Sequence, residues 1–228
     1  MSGPAAGDGA RPAPRACPSP NHGPRRDGAR PDLVVLHFTG MASGAAAIDR
    51  LRDPASGVSC HWVVERDGGI VAMVAEERRA WHAGAAAWGA VSDVNSRSIG
   101  VEIVNPGTRP FAAAQMDALE ALLAGILSRH GIPPARVIGH SDCAPGRKDD
   151  PGPRFDWARL ARRGLAAPTP AGESGGDLLP LLNAAGYTGH DDPGVLLCAL
   201  RLRHRPGATG PADARDRGIA AGLAGQAD

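Results

Sequence analysis

Apolar residues follow two rhythms along this chain. Residues 32–38, DLVVLHF, form an unbroken apolar run of strand length, the pattern of a strand buried on both faces. Thr39-Gly40 ends it, leaving His37 at the strand exit. SIGVEIVN, 98–105, alternates instead, with Ile99, Val101 and Ile103 on one face and Glu102 on the other. A mid-strand glutamate of this kind is either on a solvated sheet face or aimed into a cleft. CHWVVE and GIVAMV flank Arg66-Asp67-Gly68 and predict a β-hairpin with a glycine turn. ARVIGH predicts a short strand with His140 where it ends.

The helical rhythm is clearest over 115–130, where Met116, Leu119, Leu122, Leu123, Ile126 and Leu127 make one apolar stripe. Gly131 supplies the stop and Pro133-Pro134 prevent continuation. GAAAIDRLR, 44–52, predicts a further helix ending at Asp53-Pro54. Strands alternating with helices predict an α/β domain, its central sheet mixed because of the hairpin and flanked by helices. Composition shifts over 166–176, AAPTPAGESGG, which reads as a linker. Beyond it, residues 177–228 carry helical apolar spacing and predict a small C-terminal helical module. Residues 1–30, rich in Pro, Gly, Ala and Arg without periodicity, read as a disordered or draped arm.

Composition narrows the function classes. With a formal net charge of +1 and scattered basic residues, nothing favours nucleic acid or an anionic membrane as partner. No run of eighteen apolar residues predicts a membrane span, and MSGPAAGDGARPAPRACPSP has no apolar signal core. The four cysteines form no C-x-x-C pair. Together these features lead to the expectation of a cytoplasmic protein, or a periplasmic one if the start site lies upstream.

The Pro/Gly-rich stretch GHSDCAPGRKDDPGPRFDW, 139–157, carries the candidate chemistry. His37 and His140 leave strand ends, where ligand sites of open α/β sheets lie. Asp150 follows His140 on a loop able to fold back. Two imidazoles and a carboxylate make a catalytic zinc set with one position left open. On spacing alone the set is a weak signal, because the chain has eight histidines and a lone histidine is more often structural than a ligand. Lys148 is the only lysine among twenty-five basic residues, an anomaly in an arginine-biased chain.

The ordered motifs HFTG (37–40), SCHWVVERDG (59–68), WHAG (81–84), NSRSIGVEIVN (95–105) and GHSDCAPGRKDDPGPRFDW resemble the zinc-dependent N-acetylmuramoyl-L-alanine amidases of the amidase-2 type. That family of cell-wall recycling enzymes is related to phage amidase lysozymes and peptidoglycan recognition proteins. The resemblance implies Zn2+ as cofactor, held by His37, His140 and Asp150, with Glu102 and Lys148 as catalytic residues. It implies peptidoglycan fragments (muropeptides) as the binding partner, and substrate contacts from Phe38, Trp81, His82, Asn95 and Arg97. Phe38 stands where the family usually has a tyrosine, so a hydroxyl is missing there. Residues 31–165 would then be the amidase domain, and 177–228, introduced by Ser19-Pro20-Asn21 in the same subgroup, a peptidoglycan-binding-like module. A non-catalytic peptidoglycan-binding protein on the same scaffold is the rival reading. Binding-only members have lost a zinc ligand, and this chain keeps every one.

Overall fold

The structure is a computed structural model that describes residues 13–226. In chain order the first elements are β1 (Arg15–Ala16), β2 (His22–Pro24), β3 (Leu33–Phe38), α1 (Gly44–Arg52), β4 (Trp62–Val64), β5 (Ile70–Ala72) and β6 (Arg78–Ala80). There follow α2 (Val94–Arg97), β7 (Ser98–Ile103), α3 (Ala113–His130), β8 (Val137–Gly139), α4 (His140–Cys143) and α5 (Trp157–Arg162). The chain then closes with α6 (Leu178–Ala184), α7 (Pro193–His204) and α8 (Ala214–Ala224). Six strands form one mixed sheet in the order β1-β5-β4-β7-β3-β8, with only the β4–β5 hairpin antiparallel.

Strand β3 is central, and Leu33 to Leu36 are all fully buried, as the unbroken apolar run requires. Val34 and Leu36 join Ile99, Val101 and Ile103 under the apolar stripe of α3. Leu33 and Val35 pack on the opposite face with Ile138 and Cys143. Helix α3 ends at Gly131, whose φ of 64° is the left-handed conformation that glycine adopts without a Cβ penalty.

Residues 13–30 are built into the domain, in contrast to the arm expected from composition. Strand β1 pairs with β5, and β2 pairs with β6 in a separate two-stranded ribbon. The buried Asn21 amide donates to the carbonyls of Asp53 and Val58, each at 2.9 Å. The Arg25 guanidinium donates to the carbonyls of Glu76, Ser96 and Ser98. These side-chain bonds to backbone replace long strand pairing, so the segment needs no periodicity to be ordered. The part of the expected arm before residue 13 lies outside the described residues.

The last three helices enclose their own core, with Leu182, Tyr187, Leu196, Leu200 and Ile219 buried together. Between the two cores, residues 165–167 are buried, while most of the segment from 168 to 177 is exposed.

The buried His61 and the half-buried Glu76 make stability fall as pH is lowered. Burial pushes the His61 imidazole down to about 3, with the Arg25 cation adding to the effect, although its bond to the Arg78 carbonyl opposes it. A histidine whose folded value lies below its ordinary 6.5 stabilises the fold above that value, and the contribution disappears as pH falls toward 3. Burial alone would raise Glu76, but hydrogen bonds from Arg129, His130 and Trp62 outweigh it and lower the carboxyl to about 2. Its contribution is present above 4.5 and is lost as pH falls toward 2. Thermal melts in chelator should therefore show Tm declining from about pH 6.5 downward. His61→Gln should shrink the upper part of that decline, and a flat Tm between pH 7 and 5 would contradict the assignment.

Candidate metal centre and catalytic cleft

The register of three parallel strands brings the site together. His37 on β3 is paired with Glu102 on β7, so both side chains leave the same face at the carboxyl end of the sheet. On the other flank β8 pairs Gly139 with Leu36, and the chain turns at once into α4, whose first residue is His140. The Ser141 N–H donates to the Asp150 carbonyl at 2.9 Å, which brings the proline- and glycine-rich loop back onto α4. A Cβ on Gly139 would lie 2.9 Å from Pro151 Cδ, so the close approach of the loop requires glycine there.

His37 Nδ1, His140 Nδ1 and Asp150 Oδ2 consequently face one another. The separations are 3.0 Å between the two nitrogens, and 2.9 and 3.1 Å from the carboxylate oxygen to His37 and His140. All three residues are buried. Tetrahedral zinc with ligands near 2.05 Å separates its donor atoms by about 3.3 Å, so the cluster has the size and the donor chemistry of a zinc site.

The hydrogen bonds behind the rings leave the right lone pairs free. Ser98 Oγ donates to the Val94 carbonyl at 2.6 Å and so accepts from His82 Nε2–H at 3.2 Å. His82 Nδ1 then accepts from His37 Nε2–H at 3.0 Å, which leaves His37 Nδ1 unprotonated toward the cluster. His140 Nε2–H donates to the Ala83 carbonyl at 3.0 Å, freeing its Nδ1 in the same way. Burial, with the neighbouring His140 ring adding to it, lowers His37 to about 4, which keeps that imidazole neutral near pH 7. Burial would raise Asp150, but the His140 and His37 imidazoles facing its carboxylate hold it well below the usual carboxylate range.

Glu102 lies beside this cluster in a cavity of about 400 Å3, whose wall includes Phe38, Trp81, His82 and Lys148. Its Oε2 is buried without a hydrogen-bond partner among the described residues. Burial, and then the Asp150 charge, push the Glu102 carboxyl well above its ordinary value, with Lys148 acting in the opposite direction. Lys148 is exposed at the cavity, on the loop that carries Asp150. Asp149 is exposed, whereas Asp150 is buried within the cluster. Cys143 is fully buried in the apolar layer beneath β3.

Of the expected substrate contacts, Phe38, Trp81 and His82 line the cavity, but two others are placed elsewhere. Asn95 is buried, and its Oδ1 accepts the N–H groups of His82 and Ala83 at 3.0 and 2.9 Å. It therefore fixes the backbone behind both cluster histidines and does not line the cavity. Arg97 is paired with Asp32 and lines a separate cavity of about 480 Å3 beside the C-terminal helices. Sequence reasoning missed Ser98 and Arg147, whose Nη2 donates to the carbonyls of Ala83 and Ala85. Gly100 was a legible sign of the ring behind His37: a Cβ there would meet the His82 ring at 2.5 Å.

A buried pair of imidazoles and a carboxylate beside Glu102, at the carboxyl edge of parallel strands in the mixed sheet, has the donor set of a hydrolytic metal centre. The chain belongs to the N-acetylmuramoyl-L-alanine amidase family, whose model matches residues 27–153. It is 38% identical over 151 residues to N-acetylmuramoyl-L-alanine amidase AmiD of Escherichia coli (strain K12), covering 59% of this chain and 54% of AmiD. It is 35% identical over 163 residues to 1,6-anhydro-N-acetylmuramyl-L-alanine amidase AmpD of Enterobacter cloacae, covering 64% of this chain and 87% of AmpD. A solved complex of Escherichia coli AmiD with the substrate anhydro-N-acetylmuramic acid-L-Ala-D-gamma-Glu-L-Lys superposes with a TM-score of 0.77 at 32% identity. That match covers 86% of this chain and 90% of that one.

The ring network makes a direct prediction. His82→Ala removes the acceptor that fixes the His37 tautomer and should weaken zinc affinity about tenfold or more in chelator competition. An unchanged Kd would contradict the hydrogen-bond order.

Proposed function

We propose that this chain is a zinc-dependent amidase that hydrolyses the bond between N-acetylmuramic acid, including its 1,6-anhydro form, and the L-alanine of peptidoglycan stem peptides. The observation that carries the reading is the convergence of His37 Nδ1, His140 Nδ1 and Asp150 Oδ2 beside Glu102. AmpD and AmiD, the relatives named above, are amidases of that bond class by name. The binding-only alternative predicts a missing ligand and is disfavoured by the complete set.

A zinc ion at the site would lower the pKa of a water from about 15.7 toward about 7 and polarise the scissile carbonyl. Glu102 is suited to receive the proton of the attacking water and to return it to the departing amine of L-alanine. Its raised proton affinity brings it closer to the range in which both transfers run near neutral pH. Lys148 faces the same cavity, where its ammonium can oppose the negative charge that develops on the carbonyl oxygen. The apolar face of Phe38 and the half-buried Trp81 bound the space left for the sugar and peptide.

We place the activity in cell-wall recycling, acting on soluble anhydro-muropeptides in the cytoplasm. Among the described residues no helix is long and apolar enough to cross a membrane. The deciding experiment incubates zinc-loaded protein with anhydro-muropeptide and, separately, with intact sacculi, and identifies products by mass spectrometry. Free stem peptide from the soluble fragment is expected, and release from neither would overturn the proposal. Glu102→Gln should cut kcat by about 10²–10⁴ with zinc retained. Lys148→Arg should also retain zinc and lose about 10²-fold in kcat, because a planar guanidinium does not present a compact point charge. Wild-type turnover in Lys148→Arg would remove the charge-stabilising role.

A further inference from the structure

Helix α4 carries His140 at its first position and Asp142 two residues on. Asp142 is fully buried and takes no part in the cluster's own hydrogen bonds. Its Oδ2 accepts the Gly139 N–H at 2.8 Å, which closes the start of α4. Its other hydrogen-bond partners among the described residues come from the C-terminal helical module. Tyr187, on the turn after α6, donates its hydroxyl to Oδ1 at 3.1 Å, and Arg203 of α7 donates from Nη1 to Oδ2 at 3.0 Å.

Both partners are fixed on the catalytic side as well. The Arg203 guanidinium carbon lies 4.2 Å from the centroid of the Trp157 ring, at the start of α5. The Tyr187 ring meets Trp88 edge-on, with centroids 5.0 Å apart. The module also presses on the loop that leads to Lys148 and Asp150. A Cβ on Gly189 would lie 2.8 Å from the Cys143 carbonyl and from Pro145, and one on Gly146 would lie 2.8 Å from Val195. A buried carboxylate is tolerable only when its charge is paired and its oxygens are hydrogen-bonded. Without the module, Asp142 would keep the Gly139 N–H and lose both its cation and its hydroxyl.

We propose that Tyr187 and Arg203 are positioning residues for the metal centre. By holding Asp142 they fix α4, and with it the direction of His140 Nδ1. The C-terminal helices are then a structural part of the amidase centre, whatever else they bind. The inference rests on His140 being a zinc ligand, as proposed above.

The test uses the full chain and reads zinc affinity by chelator competition, together with the visible absorption of the cobalt(II)-substituted protein. Arg203→Met should raise the zinc Kd about tenfold and shift the cobalt bands, and Tyr187→Phe should do both to a smaller degree. Arg201→Met is the control: it breaks a comparably buried pair with Asp216 inside the module, away from α4. It should lower Tm but leave the zinc Kd and cobalt spectrum at wild-type values. If Arg203→Met does not fold, Tyr187→Phe against Arg201→Met decides the question. Wild-type affinity and spectrum in Tyr187→Phe and Arg203→Met overturn the positioning role alone. A wild-type chain that takes up no zinc overturns it together with the proposed function.

Discussion

Three lone-pair donors buried within about 3 Å of one another repel unless a cation or a shared proton lies between them. His37, His140 and Asp150 are arranged in that way, and much of the surrounding structure follows from keeping them so. The β7–β3–β8 register places the two histidines and Glu102 at one edge. The Ser98–His82 chain and the Ala83 carbonyl occupy the far ring nitrogens, so both Nδ1 atoms stay available. Asn95 anchors the 82–83 backbone that serves both rings, and the Ser141–Asp150 backbone bond closes the third side. Few of these groups can move without disturbing one of the three converging atoms.

Much of this was legible in the sequence, for identifiable reasons. The run 32–38 had to be a central strand because a strand exposed on either face would not be apolar throughout. The glycine and proline content of 139–157 foretold a loop folded back on His140, and Glu102 resolved into the cleft. The ambiguity there was real, because alternation fixes which residues share a face and not what that face meets. Strand neighbours are likewise absent from periodicity, so the His37–Glu102 register could be seen only in three dimensions.

The misplaced residues share a cause. Residues 13–30 are held by single side chains, Asn21 and Arg25, bonded to distant carbonyls, and such bonds leave no repeating pattern. Asn95 and Arg97 look free in a polar loop, yet the Asn95 side-chain oxygen is taken up by two backbone N–H groups and Arg97 by Asp32. The partnership of Asp142 with Tyr187 and Arg203 spans 45 and 61 positions along the chain, beyond the reach of any local reading. It ties the two cores of the molecule together at the helix that begins with His140.

The central claim is the identity of the three ligands. X-ray absorption at the zinc edge, on protein loaded with one equivalent of zinc, tests it most directly. The account predicts a shell of nitrogen and oxygen near 2.0–2.1 Å with imidazole scattering from two histidines, and loss of high-affinity zinc in Asp150→Ala. Sulfur scattering near 2.3 Å, which would bring in Cys143, or undiminished zinc binding in Asp150→Ala, would contradict it.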